Sequence, residues 1–262
     1  MSALHQLPLH PSVEWIQSNR HGLIALNKGV GVMAHPNRLK DRHAALLDAD
    51  YDLDSQSYSW TNAQGREEKL WLLHRLDSPT SGVILLAKHE ALADSVRQVF
   101  AEKAVKKVYY AIVKGCPQAK VGQWNQKLKQ NPYQGSPTRA RSTRAHSQAP
   151  ESSPAGRMIS AKTHYRLEGT RRSTPTLSRL KLEPITGRTH QLRVHCSLNR
   201  LPIVGDQSYG DFKFNRACKK SLGVNRLCLH AEQVAFDYPW KGKMHSFSAK
   251  AVLPEVFNVL CP

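Results

Sequence analysis

An α+β fold is what this sequence predicts, on three observations. Strand-like alternation recurs along the chain, helical periodicity is confined to single segments, and neither a β-α-β rhythm nor an internal repeat runs through it. Its 262 residues leave room for one large domain or two small ones, and 40% hydrophobic beside 22% charged residues excludes disorder throughout.

After a polar leader, Gly22 to Asn27 reads as a short buried strand, closed by the glycines of Lys28-Gly29-Val30-Gly31. Residues 36 to 69 carry few large apolar side chains beyond Leu46, Leu47, Leu53 and Trp60, and read as surface loops with room for one short helix. Leu70 to Leu73 and Gly82 to Ala87 have the apolarity and length of strands, so the polar, turn-prone stretch from His74 to Ser81 is clamped between two buried elements. From Glu90 to Lys103, Leu92, Val96, Val99 and Phe100 mark one face of an amphipathic helix. Val108 to Val113, rich in β-branched and aromatic residues, reads as a strand ending before Gly115 and Pro117. The segment 129–160 loses its large aliphatics and reads as a flexible insertion, because it cannot bury enough apolar surface to offset its ordering entropy. There Lys129, Arg139, Arg141, Arg144 and Arg157 face a single acid, Glu151. Thr163 to Leu167, the strictly alternating Leu177 to Leu182, and Glu232 to Tyr238 are the remaining strands.

Charge narrows the function. Lys and Arg number 38 against 20 Asp and Glu, a net +18, and such an excess on a chain with a core points to a polyanionic partner whose counterions are released on binding. The competing explanation is a merely solubilising surface. A membrane surface fits less well, since no basic amphipathic helix stands out. The longest apolar run falls far short of the ~20 residues that cross a bilayer, and the N-terminus lacks the cationic start and apolar stretch of a secretory signal. Cytoplasmic location is the expectation. The cysteines Cys116, Cys196, Cys218, Cys228 and Cys261 are scattered with no C-x-x-C pair, which argues against a disulfide scaffold or a zinc ribbon.

Two clusters could carry chemistry. Asp77 opens an Asp-Ser-Pro turn, an ordinary role for an isolated Asp. Here, though, it follows His74 and Arg75 between two buried strands, where a carboxylate beside a cation stays ionised and can serve as nucleophile or base. The second cluster is Gly187-Arg188-Thr189-His190-Gln191-Leu192-Arg193-Val194-His195. It reads either as a strand with Leu192 and Val194 on one face or as a short helix capped by Thr189. The spacing of His190 and His195 matches no strong metal motif, so hydrogen-bonding core histidines are expected and metal ligation is not.

His74-Arg75-Leu76-Asp77 with Thr80-Ser81-Gly82, then Lys107 to Gly115, then Gly187 to His195, resemble the motif set of the RluA family of RNA pseudouridine synthases, in that family's order. Pro202 to Asp206, Tyr209-Gly210 and Leu227 to Ala231 are similar to its C-terminal half, so the likeness runs from about residue 13 onward except for the insertion. One departure is Lys28-Gly29, where the family has Lys-Pro, which loosens a turn. The resemblance implies the family's catalytic fold, a mixed, mainly antiparallel sheet flanked by helices and loops. It implies one catalytic domain over 1–262 with no separate N-terminal RNA-binding domain, so that RNA affinity comes from the fold itself.

It further implies that the bond from ribose to N1 of uracil breaks, the base turns, and carbon 5 rejoins the ribose, with no cofactor and no metal. Asp77 would be the essential carboxylate, whether it attacks the ribose, adds to the base or abstracts a ribose proton. Arg193 would pair with Asp77, and Tyr109 would stack on the uracil. Arg75 resembles the base-flipping arginine of the family, the alternative being a structural ion pair with Asp77. His74, Arg188, Gln191 and Leu192 would contact RNA, ribosomal or transfer, and the protein would act as a monomer. The rival reading is a non-catalytic RNA-binding or ribosome assembly protein on the same fold. A glycosidase or nuclease is disfavoured, because no second catalytic carboxylate or metal cluster is evident.

Overall fold

A computed structural model describes residues 7–129 and 158–262. Twelve strands join in one sheet, mainly antiparallel, with four α-helices against it. At its centre lies β6 (Ser81–Ala87), buried along its whole length. β2 (Leu23–Lys28) lines one edge of β6 and carries β1 (Val13–Ser18) on its far side. The other edge of β6 is divided. β5 (Glu67–Leu72) pairs with its end at Leu86 and Ala87, and β11 (Leu229–Trp240) pairs in parallel with its start at Ser81 and Gly82. Leu73 still donates to the Leu85 carbonyl at 3.0 Å, but because β11 occupies that start, the chain from His74 to Thr80 leaves the β5–β6 ladder and stands off the sheet as a loop. Asp77 lies on this loop.

Beyond β11 the order runs through β7 (Lys106–Lys114), β10 (Leu177–Pro184), β9 (Met158–Arg171) and β8 (Val121–Lys129), while β12 (Lys243–Lys250) pairs back onto β11. β3 (Asp50–Asp52) and β4 (Ser57–Thr61) extend the sheet past β5. α1 (Glu90–Ala101) buries Leu92, Val96 and Val99 in a core shared with β6, β11 and β12. A second core lies where α2 (Gln191–Leu198), α3 (Phe212–Leu222) and α4 (Glu255–Leu260) meet β7 and β10.

Five readings change. The polar leader contains strand β1, and residues 36 to 69 hold β3, β4 and the start of β5 besides a 3-10 helix at Leu39–Ala44. These strands lie toward the edge of the sheet and keep polar residues such as Asp52 and Glu67 on their solvent side, which weakens the apolar signal. The insertion is narrower than 129–160, since Lys129 and Met158 to Ser160 belong to paired strands; its remainder, 130–157, lies outside the described residues. A helix with a basic outer face exists after all in α3. Finally, Gly29 does not loosen its turn: a Cβ there would meet the Ser12 carbonyl, so its smallness lets the turn close against the strand before it.

Candidate active site

Asp77 sits at the head of a tight turn, its carbonyl accepting from the Thr80 N–H at 2.9 Å, and its side chain is 26% exposed. Ser78 fastens this turn to the β2 loop, its hydroxyl donating to the Gly31 carbonyl at 2.7 Å. Lys28, fully buried, donates its ammonium to the carbonyls of Gly29, Val32 and Ser78, which ties the same two loops together from below. Burial draws the Lys28 pKa down to about 7, opposed by the nearby Asp77 charge.

The sequence 187–195 resolves into α2, not a strand. Its N-cap is His190 rather than Thr189, in the left-handed region at φ 53°. The helix directs Arg193 inward, 5% exposed, where Nη1 donates to Asp77 Oδ2 at 3.3 Å. The stronger contact of Arg193 is one the sequence did not reveal. Its Nε and Nη2 grip both oxygens of Asp206 at 2.8 Å each, and Asp206 is completely buried. Burial pushes the Asp206 carboxyl up, but the Arg193 hydrogen bonds, the N–H groups of Ser208 and Tyr209 and the guanidinium charge outweigh it, and the net shift is downward. The fork of Arg193 is thus committed to Asp206, and one nitrogen remains to aim at Asp77. Arg193 and Asp206 answer one another, and the Asp77 carboxylate faces the cavity.

His190 is not a core histidine: its Nε2 stands 3.7 Å from Asp77 Oδ2, and its Nδ1 lies 3.0 Å from the Tyr209 hydroxyl. The Tyr209 ring in turn lies under the Arg193 guanidinium at 5.2 Å. His195 is the expected core histidine, buried, with Nδ1 2.9 Å from Thr163 Oγ1. Tyr109 on β7 lines the same cavity, and burial together with the Asp77 charge raises its pKa, so its hydroxyl is protonated. Tyr110 faces the other side of the sheet, near Glu168 and Glu232.

The cavity encloses about 700 Å³, room for a nucleotide, and Asp77, Tyr109, Arg75, His74, Arg188 and Leu192 all line it. Arg75 is exposed and has its nearest polar neighbour in His35, 3.5 Å away; no ion pair joins it to Asp77 among the described residues. His74 is stacked on Phe100 at 5.0 Å, and burial lowers its pKa to about 4, so it faces the cavity as a neutral ring. Gln191, expected on RNA, is 3% exposed and its amide is already engaged. Its oxygen accepts from Thr186 Oγ1 and the Arg188 N–H, and its nitrogen donates to the Lys162 carbonyl and Thr163 Oγ1. It lines the cavity beside Arg188 and shapes the Thr186–Arg188 wall. Asp206, Lys28 and Tyr209 escaped the sequence reading, although a buried arginine needs a carboxylate and Asp206 lies in a motif already noted.

Comparison with known proteins gives the chain its family. The family described as RNA pseudouridylate synthase matches residues 22–198. A tRNA pseudouridine synthase C of Pectobacterium carotovorum is 30% identical, covering 95% of this chain and 66% of that protein. Another, of Yersinia pestis, is 28% identical over 95% of this chain and 96% of its own. A ribosomal large subunit pseudouridine synthase C of Haemophilus ducreyi is 34% identical over 65% of this chain and 48% of its own. The solved structure of human RNA pseudouridylate synthase domain containing 4 superposes with a TM-score of 0.61 at 25% identity, covering 93% of this chain and 90% of that one.

Proposed function

The chain belongs to the RNA pseudouridylate synthase family, and we propose that its reaction, the isomerisation of uridine to pseudouridine in RNA, is carried by Asp77 with Arg193 and Tyr109. The observation that carries this assignment is the Asp206–Arg193–Asp77 chain, which holds one carboxylate at the wall of a nucleotide-sized cavity. Breaking the bond between ribose and base and rejoining it through carbon 5 requires a group that can act on ribose or base and a surface that retains the free uracil while it turns. Asp77 is the only carboxylate among the residues lining the cavity, and the protonated Tyr109 ring beside it offers a stacking face.

A paired base must first leave its stack, at a cost of a few kcal/mol. Arg75, exposed at the cavity edge next to the Asp77 loop, has the planar group suited to fill the gap. Arg188, exposed on the cavity wall with its Nε 3.5 Å from the Ser160 carbonyl, has terminal nitrogens that can meet a phosphate. Transfer RNA is the substrate class we assign, because the two relatives that align over 95% of this chain are named for it, whereas two ribosomal ones align over 65% and 87%.

Asp77→Asn tests the assignment. It removes the reacting charge without removing a phosphate contact, so tritium release from RNA labelled at uracil carbon 5 should vanish while RNA affinity persists. Turnover within about tenfold of wild type would strip Asp77 of its role.

A further inference from the structure

α3 stands outside the chemistry described above, yet its docking is unusually complete. Its cap residue Asp211 accepts from the Phe214 N–H at 2.9 Å and from Lys114 Nζ on β7 at 2.6 Å. The Asn215 amide spans the turn before Asp206, accepting from the Gly205 N–H at 2.8 Å and donating to the Asp206 carbonyl at 2.9 Å. Cys218 is buried, and Gly223 in the left-handed region ends the helix. The outer face is different. At about 100° per residue, Lys213, Arg216, Lys219 and Lys220 fall within a sector of about 120°, away from Phe214, Asn215 and Cys218. All four are exposed, none makes an ion pair among the described residues, and no acid lies between Phe212 and Leu222.

The placement adds a second argument. α3 begins three residues after Tyr209, whose hydroxyl meets His190 beside Asp77, so the helix follows in sequence directly on a residue that supports the site. A helix capped by Asp211, held in its middle by Asn215, which also fixes the Asp206 turn, and ended by Gly223 does not need four unpaired cations for its docking. Like charges three and four residues apart repel; Lys219 and Lys220 in the last turn gain from the helix C-terminus, Lys213 in the first turn does not, and a bound polyanion would relieve the repulsion among all four.

Resting on the reading of this protein as an RNA-modifying enzyme, we propose that α3 is a phosphate-binding helix, in which Lys213, Arg216, Lys219 and Lys220 grip the RNA backbone flanking the target uridine. It reads the path of the strand and leaves base choice to the cavity.

The test is a salt titration of RNA affinity, with bulk transfer RNA and an unrelated stem-loop as probes, for the intact protein and the variant Lys213→Gln, Arg216→Gln, Lys220→Gln. Each lost phosphate contact should flatten the slope of log affinity against log salt by about 0.7–0.9. The slope should therefore drop by about 2 to 3, and both RNAs should weaken alike. Lys213→Arg with Lys220→Arg keeps charge and should keep the slope, which separates lost contacts from lost folding. An unchanged slope in the neutral variant would overturn the proposal, as would weakening confined to one RNA or a variant impaired only in binding a protein partner. Tritium release by the intact protein is measured beside it: its absence would refute the enzymatic reading, whereas its presence with an unchanged slope refutes the role of α3 alone.

Discussion

Arg193 serves two carboxylates unequally, and that division sets what substitutions there should do. Asp206 takes two of its donors in full burial, so Asp206→Asn would leave a buried guanidinium short of its main counter-charge. Breaking a buried pair from one side costs about 3–5 kcal/mol. We expect a loss of that order in urea unfolding, together with a collapse of turnover, because Arg193 would swing toward Asp77 and neutralise it more fully. A stability change under about 1 kcal/mol would show that the pair is not what holds the turn. At Tyr109, Phe retains the stacking face and the burial but lacks the hydroxyl. Phe should bind RNA normally and turn over slowly, Ala should lose both, and identical kinetics for the two would rule out a role for the oxygen. Of these residues the motifs single out Asp77, Tyr109 and Arg193, and the fold brings them together at one cavity. Asp206 does not stand out in the same way, because which acid meets a buried arginine is decided by how the Gly205 turn folds, and Asp206 lies thirteen residues beyond Arg193 in sequence.

The elements converge on the site through a few side-chain bridges, and two of these carry a pH signature. His230 on β11 stands 2.8 Å from Ser81 Oγ on β6, and His195 on α2 stands 2.9 Å from Thr163 Oγ1 on β9. Burial lowers both to a pKa of about 4, with Arg226 adding to the effect at His230. In the unfolded chain they titrate near about 6.5. The unfolded state therefore binds the extra protons, and their contribution to stability is complete above about 6.5 and is lost as pH falls toward 4, at most about 1.4 kcal/mol per pH unit for each ring. Melting temperature should fall between pH 7 and 5, less steeply in the double variant His195→Asn, His230→Asn; a flat wild-type profile would contradict it. Gly205 is a second pressure point, at φ 78° with the Arg226 carbonyl where a Cβ would stand, so Gly205→Ala should destabilise the fold and displace Asp206. α1, β6 and β7 were readable because each presents a continuous apolar face to a core. β3 and β4 were not, since toward a sheet edge half of a short strand is polar, and Gln191 misled because residue type alone does not say which way a helix turns it.

Over the whole molecule, the +18 charge and the 130–157 segment together define a test of how the chain holds RNA. β8 and β9 pair in unbroken antiparallel register up to Lys129 and Met158, so the segment leaves and re-enters the sheet at one point. It can therefore be replaced by a two-residue Asn-Gly turn, which suits adjacent antiparallel strands, without shifting the register that carries Thr163 to the back of α2. The segment contains Arg139, Arg141, Arg144 and Arg157 against Glu151 alone. If its four arginines lie on the RNA backbone, the deletion removes four phosphate contacts and should flatten the salt slope by up to about 2.8, at about 0.7 per contact with single-stranded RNA. Such contacts carry no sequence information, so affinity should weaken equally for target and non-target RNA. The modified uridine should stay the same, since the cavity, Asp77 and Arg193 are untouched. A deletion protein whose slope matches that of the intact chain would assign the charge of the segment to solubility alone, and one that modifies a different uridine would make the segment a reader of sequence rather than a holder of phosphate.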